Sequence, residues 1–157
     1  LLRRANIALT TVSVTGNELV HGAHNITVKA DGLIEKIDFS DAEMLILPGG
    51  ATKLGECAAL CDLLVKHNKE NKLIAAICAA PMVLGENGIL EGKNATCYPG
   101  FEDHLKGANY TAAQVERDGN IVTGNGPAQA IMFAAAIIEK SLGEDTAHRI
   151  LEGMMRK

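Results

Sequence analysis

The chain has 157 residues, of which 47% are hydrophobic and 22% are charged, and its formal net charge at pH 7 is −4. A chain of this length and composition forms one globular domain with a sizeable core. The acidic balance, the absence of tryptophan and the lack of an apolar run long enough to cross a bilayer argue against nucleic-acid and membrane partners.

The four cysteines contain no CxxC pair and no spacing typical of a disulfide framework. This usage is typical of a reducing compartment, so we expect a cytoplasmic protein. Cys57 and Cys61 are four residues apart on a helical pattern, which fits two core positions or two ligands of a metal ion. A metal site needs two further ligands, so we favour core packing and predict no metal.

Residues 1–6 have the pattern of the last turns of a helix. Arg3 and Arg4 suit the carboxyl end of a helix, and Asn6 tolerates the left-handed conformation that stops one. A strand is predicted directly afterwards, over Ala8–Val14. In an α/β protein a helix that feeds a strand is itself preceded by a strand, so we expect a domain that lacks its first strand and part of its first helix. The alternative is a natural short N-terminus with a frayed helix.

The next part of the chain predicts a buried strand that ends in glycines. Met44–Leu47 is a short apolar run stopped by Pro48-Gly49-Gly50, which is typical of a parallel strand followed by a loop that approaches another group closely. Before it, short strands are predicted at Leu19–His21 and Ile26–Ala30, and a linker at Ile34–Phe39. His24, in the turn between the short strands, is either a surface residue or a side chain that folds over a neighbouring site.

Beyond the glycine loop, strands and helices alternate along the chain. The alternation predicts one α/β domain with a mostly parallel sheet and helices on both faces, in which ligands bind outside the carboxyl ends of the strands. Helices are predicted over Thr52 to about Asn68, Pro81 to Gly85 or Gly88, Pro127–Ser141 and Thr146 to about Met155. Strands are predicted over Leu73–Cys78 and Ala95–Cys97, and as a hairpin of Gln114–Glu116 with Asn120–Thr123.

Cys78 ends an apolar run and is followed at once by Ala79-Ala80-Pro81. A proline at this position is typical of the first turn of a helix, so Cys78 is predicted at a sharp turn at the amino end of a helix. The partial positive charge of a helix N-terminus lowers a thiol pKa to about 3.5–7.5, which makes the thiolate nucleophile available at neutral pH. The alternative is a buried, inert cysteine that packs like a small apolar residue.

Two other strand ends are expected at the same edge of the sheet as this thiol. The backbone N–H groups of Gly49, Gly50 and Ala79 are predicted to form a pocket for an oxyanion or for an oxidised sulfur. A third strand end carries Gly124-Asn125-Gly126. Three glycine-rich or reactive strand ends at one edge of the sheet indicate a ligand site more strongly than any one of them alone.

No histidine lies next to Cys78 in the sequence, although a thiol nucleophile often has a base nearby. His67 ends a helix and His148 lies on the last helix, and both are expected on the surface. Tyr98 follows a strand and is expected beside Cys78. A tyrosine donates a hydrogen bond but is a poor general base at neutral pH, because its pKa is near 10.

Five motifs occur in a fixed order along the chain: Leu45–Gly50, Ala75–Pro81, Thr96–Gly100, Val115–Gly119 and Thr123–Pro127. Together they resemble the ThiJ/PfpI superfamily, in the branch of the parkinsonism-associated protein deglycase. The resemblance covers essentially the whole chain, and the AAICAAP stretch with its upstream LPGG is the most specific pair.

The resemblance implies a flavodoxin-like three-layer α/β sandwich, as in the class I glutamine amidotransferases, that is usually a homodimer and needs no cofactor. It implies that Cys78 is a reactive, oxidation-sensitive thiol at a nucleophile elbow, with Gly49, Gly50 and Ala79 around it. Family members act on methylglyoxal or its protein adducts, or serve as redox sensors or chaperones.

Three departures from the family pattern limit which of the family's functional residues and activities can be expected in this chain. The family's glutamate that hydrogen-bonds the thiol belongs to a first strand–helix segment that this sequence does not contain. Ala79 stands where the peptidase branch has histidine, so a cysteine peptidase is not expected. Tyr98 stands where many relatives have histidine, and His24 falls near the expected pocket mouth. We therefore expect a glyoxalase- or deglycase-like enzyme acting on a small aldehyde or a glycated protein, or a non-catalytic redox sensor or chaperone.

Overall fold

The computed structural model of the chain describes residues 1–50 and 52–155. Its helices are α1 (Ala58–Lys69), α2 (Pro81–Glu86), α3 (Ala130–Leu142) and α4 (Glu144–Glu152). Its strands are β1 (Val12–Ser13), β2 (Leu19–His21), β3 (Thr27–Lys29), β4 (Gly32–Leu33), β5 (Met44–Leu47), β6 (Leu73–Ile77), β7 (Asn94–Ala95), β8 (Asn109–Tyr110), β9 (Val115–Asp118) and β10 (Ile121–Gly124).

The central sheet has the strand order β5-β6-β10-β9. β5 and β10 both pair with β6 in parallel, and β9 pairs with β10 as the predicted antiparallel hairpin. Ile74, Ala75 and Ala76 of β6 are all fully buried, because helices cover both faces of this strand. Burial on both faces is why β6 reads as a continuous apolar run without alternation.

Helices on each face of this sheet complete three layers. On one face, Leu60 and Leu64 of α1 pack with Leu45 of β5 in the larger core cluster. On the other face, Phe133 and Ile137 of α3 pack on Val122 of β10. The predicted flavodoxin-like α/β sandwich with a mostly parallel sheet is confirmed.

Three two-stranded sheets flank the central one: β1 with β4 in parallel, the β2–β3 hairpin, and β7 with β8 in parallel. The strand predicted over Ala8–Val14 is much shorter, since only Val12 and Ser13 form a ladder, with β4. Thr11 precedes them and is held by Asp31, whose carboxylate accepts hydrogen bonds from the Thr11 N–H and hydroxyl, both at 2.8 Å. These bonds lower the pKa of Asp31. The sequence did not predict β4 or β8.

The predicted helices exist, but two of them begin later than expected. A 3-10 turn occupies Thr52–Glu56, and Cys57 is extended, with φ −87° and ψ 98°, so α1 begins only at Ala58. Another 3-10 turn, Pro127–Gln129, precedes α3. At the start of the chain the expected helix end is a single 3-10 turn, and Asn6 takes the predicted left-handed conformation with φ 58°. In the parts of the chain described, no helix is long and apolar enough to cross a membrane.

The prediction that His67 lies on the surface is wrong, because its side chain is only 1% exposed. It lies on the inner face of α1, and its Nε2 donates a hydrogen bond to the Ala42 carbonyl oxygen, 3.0 Å away. Its Nδ1 is buried without a partner among the described residues. Burial lowers the pKa of His67, and the positive charge of Lys72 lowers it further. A neutral imidazole therefore ties α1 to the segment that leads into β5.

Candidate active site

Cys78 follows β6 directly and has a left-handed backbone, with φ +65°. This conformation costs an L-residue about 1–2 kcal/mol and persists only where the surroundings fix it. Two backbone hydrogen bonds do so: the Cys78 N–H donates to the Gly124 carbonyl at 2.8 Å, and the Cys78 carbonyl accepts from the Tyr98 N–H at 2.8 Å. The thiol thus stands on a sharp turn that two neighbouring segments hold in place.

The helix after this turn is anchored by apolar side chains. Pro81 begins α2, as the sequence predicts, and Val83 and Leu84 are fully buried. The Ala80 N–H donates to the Ile77 carbonyl, 3.2 Å away, which closes the turn around Cys78. Cys78 remains partly exposed, whereas Ala79 beside it is buried.

The glycine loop after β5 passes close to Cys78. A Cβ atom at Gly49 would lie 2.5 Å from the Cys78 Cβ and 3.2 Å from its Sγ, so only glycine fits there. Gly50 has φ +89°, a conformation that favours glycine, and a Cβ there would meet open space. In the backbone hydrogen bonds found between described residues, the N–H groups of Gly49, Gly50 and Ala79 are not donors. Their role as an oxyanion pocket stays a prediction.

The backbone of Tyr98 lies next to that of Cys78, and the Tyr98 ring packs against Gly126. A Cβ at Gly126 would lie 3.4 Å from the Tyr98 Cδ2 and 3.8 Å from its Cε2. Tyr98 is 44% exposed. The strand ends at Gly49-Gly50, Cys78 and Gly124–Gly126 thus meet at one edge of the sheet, as the sequence predicts.

Cys97 differs from Cys78 in its surroundings. It is fully buried, and its pKa is raised to about 11, chiefly by burial and then by the negative charge of Glu102. At neutral pH the Cys97 thiol is therefore protonated and inert. Cys57 and Cys61 pack against the larger core cluster, as predicted, and all four cysteines are free thiols.

His24 is placed at the tip of the β2–β3 hairpin, in an exposed turn with φ 57°. The hydrogen bonds found between described residues do not join it to Cys78, and its role at the pocket mouth stays a prediction. Within residues 1–50 and 52–155, no group of three or more His, Cys, Asp or Glu side chains is placed to hold a metal ion.

Sequence reasoning missed the backbone of the elbow. The positive φ of Cys78 depends on Gly124, which is 46 positions away, and on Tyr98. The glycines at residues 124 and 126 indicate that the backbone there comes close to other groups, but the sequence does not indicate which groups these are.

The fold and site define a class: a three-layer α/β protein with a cysteine on a strained turn at the carboxyl edge of its sheet. A family model described as "DJ-1/PfpI family" matches residues 1–140, and the chain belongs to this family.

Named relatives agree with this assignment. Protein dj-1beta of Drosophila melanogaster is 33% identical over 161 residues, which cover 99% of this chain and 86% of that protein. The deglycase PH1704 of Pyrococcus horikoshii is 34% identical over 115 residues, 69% of this chain and 68% of that protein. The solved structure of oxidized Toxoplasma gondii DJ-1 superposes with a TM-score of 0.90 at 34% identity, covering 99% of this chain and 86% of that one.

Proposed function

We propose that this protein is a cysteine-dependent, cofactor-independent glyoxalase- or deglycase-like enzyme that acts on small 2-oxoaldehydes or their protein adducts. The left-handed turn of Cys78 carries the proposal, because it presents a partly exposed thiol beside unpaired backbone N–H groups. The deglycase name of the Pyrococcus relative supports the same chemistry. A family can host several functions on one fold, so the proposal rests on the site rather than on the fold.

In the first step the Cys78 thiolate attacks the aldehyde carbon and forms a C–S bond. The carbonyl π-electrons move to oxygen, and the resulting oxyanion is stabilised by N–H groups of Gly49, Gly50 and Ala79. Protonation of that oxygen gives a hemithioacetal. We assign Tyr98, whose backbone is hydrogen-bonded to that of Cys78, the role of an aromatic wall with a hydroxyl that donates a hydrogen bond.

In the second step the C–H proton of the hemithioacetal carbon moves to the neighbouring carbonyl carbon, and the hemithioacetal hydroxyl proton moves to the oxygen of that carbonyl. The hemithioacetal thereby becomes the thioester of a 2-hydroxy acid. Water then hydrolyses the thioester, releasing the hydroxy acid and returning the thiol. One carbon is oxidised and its neighbour reduced, so no external oxidant is needed. The proton transfer requires an acid–base group, and the family resemblance implies that the family's glutamate fills this role.

The test is the conversion of methylglyoxal to lactate by the polypeptide that the gene encodes, without added cofactor. Cys78→Ser removes the nucleophile and is expected to reduce turnover to the background rate. Cys57→Ser is the matched control, since it removes a different partly buried thiol and should keep turnover near the wild-type rate. Equal rates for wild type and Cys78→Ser would reject the enzyme proposal.

A redox sensor or chaperone without a substrate is the second candidate. The same N–H groups suit the oxygens of a sulfinic acid on Cys78, and the Toxoplasma relative was solved in a form described as oxidized. Mild peroxide treatment followed by peptide mass spectrometry tests this role. We expect Cys78 to gain oxygen well before Cys57, Cys61 and Cys97, and oxidation of all four at similar rates would reject it.

We further propose a cytoplasmic homodimer. The four free thiols support a reducing compartment. The β2–β3 hairpin exposes Leu19 by 48%, Ile26 by 62% and Val28 by 56%, a patch that a second copy would cover. Sedimentation at micromolar concentration should give a dimer that Val28→Lys dissociates, whereas a wild-type monomer would refute the proposal.

A further inference from the structure

Cys57 and Cys61 lie one helical turn apart at the amino end of α1. The Cys57 carbonyl accepts a hydrogen bond from the Cys61 N–H at 3.0 Å, which closes the first turn of the helix. Four residues of a helix advance about 6 Å, and the Cα atoms of a disulfide lie about 4.4–6.8 Å apart. The two backbones are therefore close enough for a disulfide bond.

Both cysteines lie on the side of α1 that faces the core, and both keep some contact with solvent. They are partly exposed and pack against the larger core cluster, whereas Ala58 and Ala59 between them are exposed. Cys97, in contrast, is fully buried. A small reagent can therefore reach Cys57 and Cys61 without unfolding the core.

The sulfur of Cys61 is turned toward the part of the chain that carries Cys57. Its Sγ donates a hydrogen bond to the Gly55 carbonyl, 3.5 Å away, and accepts one from the Asn87 Nδ2, 3.6 Å away. Gly55 precedes Cys57 by two residues, so the Cys61 side chain leans back over the amino end of α1, as helical side chains do. These two bonds hold the Cys61 thiol beside the start of the helix.

A bond between the two sulfurs requires a small movement of the first turn. Cβ atoms on adjacent turns of a helix are about 5–6 Å apart, and a disulfide needs about 3.5–4.5 Å, so the two residues must approach by about 1–2 Å. The backbone at Cys57 can supply this movement, because it is extended, has no side-chain cap and joins a 3-10 turn to α1. Leu60 and Leu64 are buried and hold the rest of the helix in place.

We propose that Cys57 and Cys61 form a reversible dithiol–disulfide site that exchanges with small disulfides such as oxidised glutathione. The Cys57 thiolate attacks first, because hydrogen bonds hold the Cys61 sulfur; the small-molecule S–S bond breaks and one glutathione thiolate leaves. The Cys61 thiolate then attacks the Cys57 sulfur of the mixed disulfide, and the second glutathione thiolate leaves. The proton of each cysteine ends on a released glutathione, so two electrons pass from the protein to the small disulfide.

Oxidation of this site would open the first turn of α1. The disulfide withdraws the Cys61 sulfur from the Gly55 carbonyl and separates the Cys57 carbonyl from the Cys61 N–H. The segment that changes thus begins a few residues after the Gly49-Gly50 loop. Strained and partly exposed disulfides are readily reduced, so the dithiol is the resting form in a reducing compartment and the disulfide forms only under oxidising conditions.

Mass spectrometry of the native protein carrying Cys78→Ser, which lacks the competing partly exposed thiol, tests the inference. The protein is treated with oxidised glutathione and digested with trypsin without reduction. Cleavage after Lys53 and Lys66 releases one peptide that contains both Cys57 and Cys61. We expect this peptide to lose the mass of two hydrogen atoms and to regain it after treatment with dithiothreitol. With Cys61→Ser added, Cys57 should stop at the mixed disulfide with one glutathione.

In the protein that retains both cysteines, a peptide that carries glutathione would overturn the inference, and so would an unmodified peptide or a bond between two chains. Amide hydrogen exchange separates the proposed change from general unfolding. In the oxidised protein the Cys61 amide should exchange at least about 10-fold faster than in the reduced one, while the Leu64 amide keeps its rate. Faster exchange of both amides, or of neither, would also reject the inference. Neither measurement involves turnover, so the outcome is independent of the proposed function.

Discussion

Adding one methyl group at Gly49 should disable the site and also lower the stability of the protein. The new Cβ of Gly49→Ala would lie 2.5 Å from the Cys78 Cβ. Carbon atoms pack best at about 3.5–4.0 Å, so the two residues must separate by about 1 Å. Cys78 is held on both sides by backbone hydrogen bonds of 2.8 Å, and the glycine loop therefore has to move.

The expected cost follows from that displacement. Overpacking of this kind destabilises a protein by about 1–3 kcal/mol. A shift of about 1 Å in a group that surrounds the reacting atom costs about 100-fold in rate. We therefore expect Gly49→Ala to lower kcat/KM for methylglyoxal by about that factor, and to lower the urea midpoint.

The assay measures lactate formation and urea unfolding on the same preparation. Gly55→Ala is the matched control, because its Cβ would meet Val83 and Glu86 at ordinary distances of 3.7 and 3.9 Å. It should retain wild-type turnover. If Gly49→Ala also retained wild-type turnover and stability, the close approach of the loop to Cys78 would be wrong.

Three further predictions concern single side chains. Cys78→Gly should be more stable than Cys78→Ala by about 1 kcal/mol in urea unfolding, because glycine adopts the left-handed backbone without strain; equal stabilities would contradict that strain. The pKa of His67 is lowered in the folded protein, so its imidazole binds a proton more tightly in the unfolded chain. The stability that the neutral His67 side chain contributes is therefore fully present above pH 6.5 and is lost as the pH falls below 6.5. In His67→Gln the urea midpoint should decrease less between about pH 7 and pH 5 than it does in the wild type. An equal decrease in both proteins would exclude His67 as the cause of the pH dependence. Because the pKa of Cys97 is about 11, iodoacetamide at neutral pH should label Cys78 and leave Cys97 intact in the native protein, whereas labelling of Cys97 first would contradict its burial.

Local sequence signals predicted the parts of the site that depend on local chemistry. The apolar run into Cys78 and the proline at residue 81 place a strand and a helix start, and both are found where predicted. The glycine at position 49 predicts that the backbone there approaches another group closely, and in the structure that group is Cys78.

Features set by distant contacts were not predictable from the sequence. The left-handed turn of Cys78 depends on a carbonyl 46 residues away. The polar pattern around His67 suggested a surface position, but its partner is the Ala42 carbonyl, in a segment 25 residues earlier. The strand predicted over Ala8–Val14 is reduced to Val12–Ser13, because a ladder needs a partner, and β4 offers one for only two residues.

The formation of a bond between sulfur and substrate tests the central claim most directly. ¹³C NMR of methylglyoxal labelled at its aldehyde carbon, mixed with the protein, should show a sulfur-bound hemithioacetal carbon that decays as lactate appears. Cys78→Ser should show neither signal. Lactate formed at the wild-type rate by that variant would contradict the role of Cys78 as the nucleophile.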